Sequence, residues 1–220
     1  MLLCIPKVIG PDVVERIVGA LADAPFVDGR ATAGWHAREV KRNRQLDAKD
    51  PRQAELSRTI SAAVTKNTAF RLSVRAKALV PFRFSRYDEG MAYGRHVDDA
   101  LMSGHRSDVS MTLFLSAPES YDGGELIIDT GGVERSVKLP AGDMVVYPST
   151  TLHRVEKVTR GVRLAAVSWA QSYVRDAARR ELLYELDRSR RALFKKHGKT
   201  AEFDGISRAF SNLLRMWSDA

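Results

Sequence analysis

The sequence predicts a mainly β fold with flanking helices: an antiparallel double sheet or jelly roll, with helices before it and a helical extension after it. Two observations carry this. From residue 75 onward, about eight short β-rich runs follow one another, separated by turn signals, a pitch that suits an antiparallel double sheet rather than a parallel βαβ sheet. On either side of that stretch, apolar residues recur at helical spacing.

Residues 12–24 read as a helix, with Val14, Ile17, Val18 and Leu21 on one face and Pro11 in the first turn, where its missing N–H costs nothing. Residues 28–49 are polar, basic and irregular, with Gly29 and Gly34 as breakers, and read as a loop or a short strand pair. Asp50-Pro51, an N-cap followed by proline, opens a second helix with the stripe Leu56, Ile60, Ala63 and Val64. Strands are expected over 78–87, 93–98, 109–116, 125–129, 133–139, 143–147, 152–158 and 162–169. Glycine-bearing turns such as Asp122-Gly123-Gly124, Thr130-Gly131-Gly132, Pro140-Ala141-Gly142 and Arg160-Gly161 punctuate them. Leu182, Leu186 and Leu193 mark a later helix, and Phe203, Ile206, Phe210, Leu213, Leu214 and Trp217 another, with His197-Gly198 between. The expected organisation is a helical and loop support over 1–74, a β core over 75–170 and a helical extension over 171–220.

Composition narrows the function classes. The chain has 220 residues, 44% of them hydrophobic, which rules out wholesale disorder. No apolar run approaches the roughly 20 residues that cross a bilayer, and residues 1–7 are too quickly interrupted for a secretory signal. The single cysteine, Cys4, excludes an internal disulfide and a Cys-based zinc cage, so a reducing, cytoplasmic location is the default expectation. Residues 171–199 hold nine Lys/Arg against four acids, over half of the formal net charge of +8. No aromatic residues interleave at base-stacking intervals, so this segment reads as the solvated face of a helix in preference to a nucleic-acid contact.

The densest polar cluster runs from Tyr87 to Asp99 inside the β region. Successive strand side chains point to opposite faces, so strand parity puts His96 and Asp98 on one face and Asp99 on the other. His153, on a later strand, completes a set of two imidazoles and one carboxylate. Such a facial triad leaves three positions open on a metal, the arrangement of non-haem Fe(II) oxygenases. Ten residues on, Arg163 shares a strand face with Ala165, Val167 and Trp169. A guanidinium among small and apolar neighbours needs an anion, and a carboxylate suits its fork.

These residues resemble the Fe(II)/2-oxoglutarate dioxygenases, in the prolyl/lysyl hydroxylase-like branch. The segment Val40-Lys41-Arg42-Asn43-Arg44-Gln45-Leu46, the run from Arg86-Tyr87 to His96-Val97-Asp98, the Tyr121-Asp122-Gly123-Gly124-Glu125-Leu126 turn, and Leu152-His153-Arg154-Val155 are similar to the bacterial PKHD-type hydroxylases, a family associated with iron uptake. The resemblance implies a double-stranded β-helix with Fe(II) on His96, Asp98 and His153 and the distal carboxylate of 2-oxoglutarate on Arg163. Tyr87 would donate its phenol to the same cosubstrate and Tyr93 would line the mouth. Many prolyl hydroxylases place a tyrosine on the strand read here as 109–116, where this chain offers Leu113-Phe114. The implied reaction uses O2 and 2-oxoglutarate to hydroxylate an unactivated C–H of a peptide, protein side chain or amino-acid-like molecule, with ascorbate as reductant.

Other residues are assigned more loosely. Trp169 either walls the pocket or is an ordinary core tryptophan, and Asn43 and Gln45 can pair with amide groups of a substrate. His36 and His105 lie in loops, as substrate contacts or as surface histidines. The aromatic stripe of the last helix packs on the barrel or forms a homodimer with a second subunit. Two other functions compete: a cupin-like metalloenzyme that does not use 2-oxoglutarate, which gives Arg163 no task, and an iron-responsive regulator that binds nucleic acid through its basic helix.

Overall fold

The computed structural model describes residues 1–219. The chain begins with β1 (Leu3–Ile5), α1 (Pro11–Ala22), β2 (Phe26–Asp28), β3 (Lys41–Arg42), β4 (Arg44–Leu46), α2 (Pro51–Lys66) and α3 (Thr68–Val74). There follow β5 (Ala76–Leu79), β6 (Arg83–Tyr87), β7 (Ala92–His96), β8 (Leu101–Met102), β9 (His105–Arg106), β10 (Val109–Phe114), β11 (Tyr121–Gly123), β12 (Leu126–Asp129), β13 (Glu134–Val137), β14 (Met144–Pro148), β15 (His153–Val155), β16 (Val158–Gly161) and β17 (Arg163–Ser172). The chain closes with α4 (Ala177–His197) and α5 (Ala201–Trp217).

Two antiparallel sheets make the core. The larger runs β1-β14-β10-β17-β6-β4-β2, with β5 also on β17; the smaller runs β13-β12-β15-β7-β3. The segment before residue 75 thus adds strands to both sheets as well as helices. Alternation along the large sheet decides what goes where. Phe84, Met111, Leu113, Met144, Val146, Ala166 and Ala170 point outward and join Ile17, Leu21, Leu56, Ile60, Val64 and Phe70 of the helices in one apolar cluster. The alternate residues point inward: Tyr87, Phe114, Val145 and Tyr147 pack with Leu126, Ile128 and Val155 of the small sheet. A jelly-roll sandwich results, helix-covered on one face and with a cavity between its sheets.

The helix starts follow their caps. Pro11 occupies the first turn of α1, and the Asp50 carboxylate accepts from Arg52 N at 2.9 Å at the start of α2. The stretch after Asp50 is two helices: Asn67 ends α2 and caps α3, accepting from Phe70 N at 3.1 Å. Strand boundaries depart from the pattern in several places. The run 78–87 is split into β5 and β6 around Pro81, which has no N–H to donate. The run 152–158 ends at Val155, and the expected turn at Arg160-Gly161 lies within β16, which pairs with β11. Residues 101–106 form the small β8–β9 hairpin, turned by Ser103 and Gly104 with positive φ.

The C-terminal helices pack on each other. Leu183 of α4 and Phe210 of α5 are buried with Val174, and Leu213, Leu214 and Trp217 lie against them. Part of the basic charge is spent internally. Buried Arg180 donates to the carbonyls of Val174, Arg175 and Asp108, while Arg190 and Arg191 pair with Asp187. No helix among the described residues is long and apolar enough to cross a membrane.

Candidate active site

His96 ends β7 and His153 begins β15, and the two pair directly in the antiparallel register. Their rings lie 4.2 Å apart between centroids. Asp98 reaches them by a different route from the one strand parity describes. β7 stops at His96, so Asp98 stands in the following loop, where the chain itself turns its carboxylate back. Its Oδ2 lies 3.8 Å from His153 Nε2 and also accepts from Ser110 Oγ, which sits 2.8 Å from Ser149 Oγ. Ligand atoms of His96, Asp98 and His153 all fall within 4.8 Å of one another, the one such His/Asp cluster found among the described residues.

The imidazoles are prepared for a cation. His96 Nδ1 sits 2.8 Å from Gly94 O and His153 Nδ1 3.0 Å from Thr151 O. A ring nitrogen facing a carbonyl carries the proton, so in both residues Nε2 keeps its lone pair free. Burial, and the neighbouring His153, push the His96 pKa down, which keeps the ring neutral as a metal ligand must be. Tyr93 lies flat on His96 and Tyr147 meets His153 edge-on at 5.1 Å. The donor set of two neutral nitrogens and one carboxylate fits a first-row divalent metal with open positions and suits Fe(II).

Beside this cluster, one cavity is lined by Tyr87, Tyr93, Asn43, Arg163 and Trp169 along with the three candidate ligands. Arg163 opposes Tyr87 across the β6–β17 pair, its guanidinium 5.1 Å from the Tyr87 ring and 5.4 Å from that of Phe114. It is 1% exposed, forms no ion pair among the described residues, and its Nε lacks a hydrogen-bond partner. An unpaired buried guanidinium costs several kcal/mol, on the order of the desolvation of one ion, unless an anion joins it. The distal carboxylate of a diacid fits that need. Burial raises the Tyr87 pKa, so its phenol stays protonated and able to donate. The Nε1 of Trp169 and both amide atoms of Asn43 are also buried without partners.

Some of the site was not read from the sequence. Tyr147, Ser110 and Thr112 face the cavity from β14 and β10, and the signal was available, since alternation places them opposite the outward Val146, Met111 and Leu113. Tyr121, marked in the sequence only as part of the Tyr121-to-Leu126 turn, is fully buried near Arg163 on a strand paired with β16. His36 and His105 are exposed and do not line the cavity.

Comparison with known proteins bears on this arrangement. Residues 82–171 match the 2OG-Fe(II) oxygenase superfamily, and residues 176–219 match the PKHD-type hydroxylase C-terminal domain. A PKHD-type hydroxylase of a Picosynechococcus species is 51% identical over 219 residues, covering all of both chains. Among solved structures, a prolyl hydroxylase from Trichoplax adhaerens in complex with a hypoxia inducible factor peptide aligns with a TM-score of 0.60 at 14% identity, covering 77% of this chain and 82% of that one. HygX from Streptomyces hygroscopicus, with nickel and 2-oxoglutarate bound, aligns with a TM-score of 0.54 at 18% identity, covering 79% and 84%. These two likenesses concern the fold.

Proposed function

Since the chain belongs to the PKHD-type hydroxylases, Fe(II)- and 2-oxoglutarate-dependent oxygenases, we propose that it hydroxylates an unactivated C–H of a peptide, a protein side chain or an amino-acid-like molecule, in a role linked to iron uptake. His96, Asp98 and His153 hold the iron; Arg163 and Tyr87 hold the distal carboxylate of 2-oxoglutarate; Tyr93, Trp169 and Asn43 face the prime substrate. The observation that supports this most is the adjacency, in one cavity, of the His/Asp/His cluster and a buried arginine with no protein anion.

Iron, 2-oxoglutarate and O2 supply the oxidation, in which the cosubstrate is decarboxylated to succinate and one oxygen atom enters the C–H bond. The residues of the chain supply position. Gly94 O and Thr151 O fix the two imidazole tautomers, and Ser110 fixes the carboxylate. Tyr93, stacked on His96 with its rings 3.6 Å apart and 16° from parallel, prevents that imidazole from turning. Arg163 fixes the far end of the cosubstrate and thereby the placing of its reactive end on the metal. Leu126, Val155 and Tyr147 keep this side of the cavity apolar and exclude water. No protein general base is needed.

The test is succinate release by the purified chain with Fe(II), ascorbate and 2-oxoglutarate. Slow release is expected even without a prime substrate. Absence of both succinate and 2-oxoglutarate binding by the Fe(II) protein would overturn the reading.

A further inference from the structure

The cavity holds more positive charge than iron and 2-oxoglutarate can use. With one carboxylate of 2-oxoglutarate on the metal and the other on Arg163, both ends of that diacid are occupied. Two cations remain on the cavity wall, Lys41 and Arg83. Lys41 is only 5% exposed; its ammonium donates to Thr32 Oγ1 at 3.0 Å and lies 5.1 Å from the centre of the Tyr93 ring that covers His96. The Arg83 guanidinium lies 5.4 Å over the Trp169 ring and has neither an ion pair nor a hydrogen bond among the described residues. Burial pushes the Lys41 pKa down to about 8, and the charge of Arg83 on the same cavity wall acts in the same direction, against the pull of Asp98 and Asp28. Asp98 also faces Lys41, but its carboxylate is committed to the metal.

Position separates this pair from Arg163. Arg83 precedes Tyr87 by four residues on β6, roughly 13 Å at about 3.3 Å per residue, and both side chains enter the cavity because they share strand parity. Tyr87 and Arg163 therefore mark one end of the β6–β17 wall, and Arg83 with Trp169 marks the other. Lys41 is buried with only Asp98 and Asp28 in electrostatic reach, and half-buried Arg83 forms no ion pair among the described residues, so the two like charges on one cavity wall raise the energy of the free protein. They are explained if a second anion enters with the substrate. Asp98 and the exposed Asp99 also line the cavity, so a single negative charge is better matched than a doubly charged phosphate.

The geometry points to a prime substrate that carries a carboxylate, received by Arg83 and Lys41 with Trp169 as the flat wall beside it. This rests on the hydroxylase reading above and narrows its substrate class. Arg83 supplies a two-pronged donor and Lys41 a point charge, so the carboxylate is both held and oriented relative to the metal. Such a carboxylate is either the terminal one of an amino-acid-like molecule or the side chain of an acidic residue in a peptide.

The experiment is anaerobic calorimetry on the full chain loaded with Fe(II) and saturating 2-oxoglutarate. Four probes are used: N-acetylglycine and its amide, and N-acetylglutamate α-amide and N-acetylglutamine α-amide. At least one carboxylate probe is expected to bind tenfold or more tightly than its neutral twin; the first pair reports a terminal carboxylate and the second a side-chain one. Arg83→Gln and Lys41→Gln should each abolish most of that preference while 2-oxoglutarate affinity, measured separately, stays within about twofold, which also shows that the variants fold. Should Arg83→Gln fail to fold, Arg83→Lys and Lys41→Gln decide the matter, with the preference expected to fall in both. Equal affinity for both members of each pair, or a preference that survives in the folded variants, overturns the carboxylate assignment while leaving the oxygenase reading intact. Failure of the Fe(II) protein to bind 2-oxoglutarate at all overturns the oxygenase reading, and the carboxylate assignment falls with it.

Discussion

Gly124 rests directly on the stem of Arg163. A Cβ added at Gly124 would come within 3.0 Å of Arg163 Cδ and of Val158 Cγ2, and 3.1 Å from the Tyr121 ring. Its φ of +67° is one that side-chain-bearing residues rarely adopt. Gly124→Ala is therefore expected to cost about 1–3 kcal/mol of stability. It should also weaken 2-oxoglutarate binding, because the new methyl displaces the arginine. Denaturant unfolding and a 2-oxoglutarate titration check the two effects.

Arg163 itself should show opposite effects on stability and function. Its charge is buried without a protein anion, so Arg163→Leu removes a desolvation cost and should leave the metal-free protein as stable or more so. The same change should weaken 2-oxoglutarate binding by about 2–5 kcal/mol, the usual loss for truncating one side of a buried charge pair. A melting temperature that drops sharply in Arg163→Leu would mean that the guanidinium has a protein partner after all.

Ser110 holds the Asp98 carboxylate from the floor of the cavity. Ser110→Ala is predicted to lower metal affinity about 10–100-fold with little change in fold, as removal of an outer hydrogen-bond partner typically does. His96→Ala should abolish tight Fe(II) binding altogether. Competition with a metallochromic chelator distinguishes the two levels of loss.

The buried imidazole sets a pH dependence. His96 has its pKa lowered by burial and by His153, so in acid the unfolded chain takes up a proton that the folded chain resists. The stability associated with the neutral ring is complete above the ordinary histidine value of about 6.5 and is lost progressively as pH falls below it. Urea midpoints of the chelator-treated protein between pH 7 and pH 5 should fall, and His96→Gln should flatten that slope. A wild-type midpoint independent of pH over this range would show that His96 is protonated as easily folded as unfolded.

What depends on neighbours along the chain is legible in the residues alone. Pro11 and Asp50-Pro51 announced helix starts through local sterics and capping, and the alternation of Leu164, Ala166 and Ala170 with Arg163, Val167 and Trp169 sorted one strand into a helix-facing side and a cavity side. The residue types around His96, Asp98, His153 and Arg163 carried the resemblance to Fe(II)/2-oxoglutarate oxygenases. Tertiary structure alone decided how these groups meet. Asp98 joins the histidines from a loop, held by Ser110 of another strand, so strand parity does not account for how it comes to cluster with them. Tyr121 reaches Arg163 through a strand pairing of high sequence separation, and Lys41 and Arg83 converge from different sheets. Those relationships rest on which strands come to lie together, 12 residues apart for Asp98 and Ser110 and about 40 for the other two. That depends on the packing of two whole sheets, and no local periodicity encodes it.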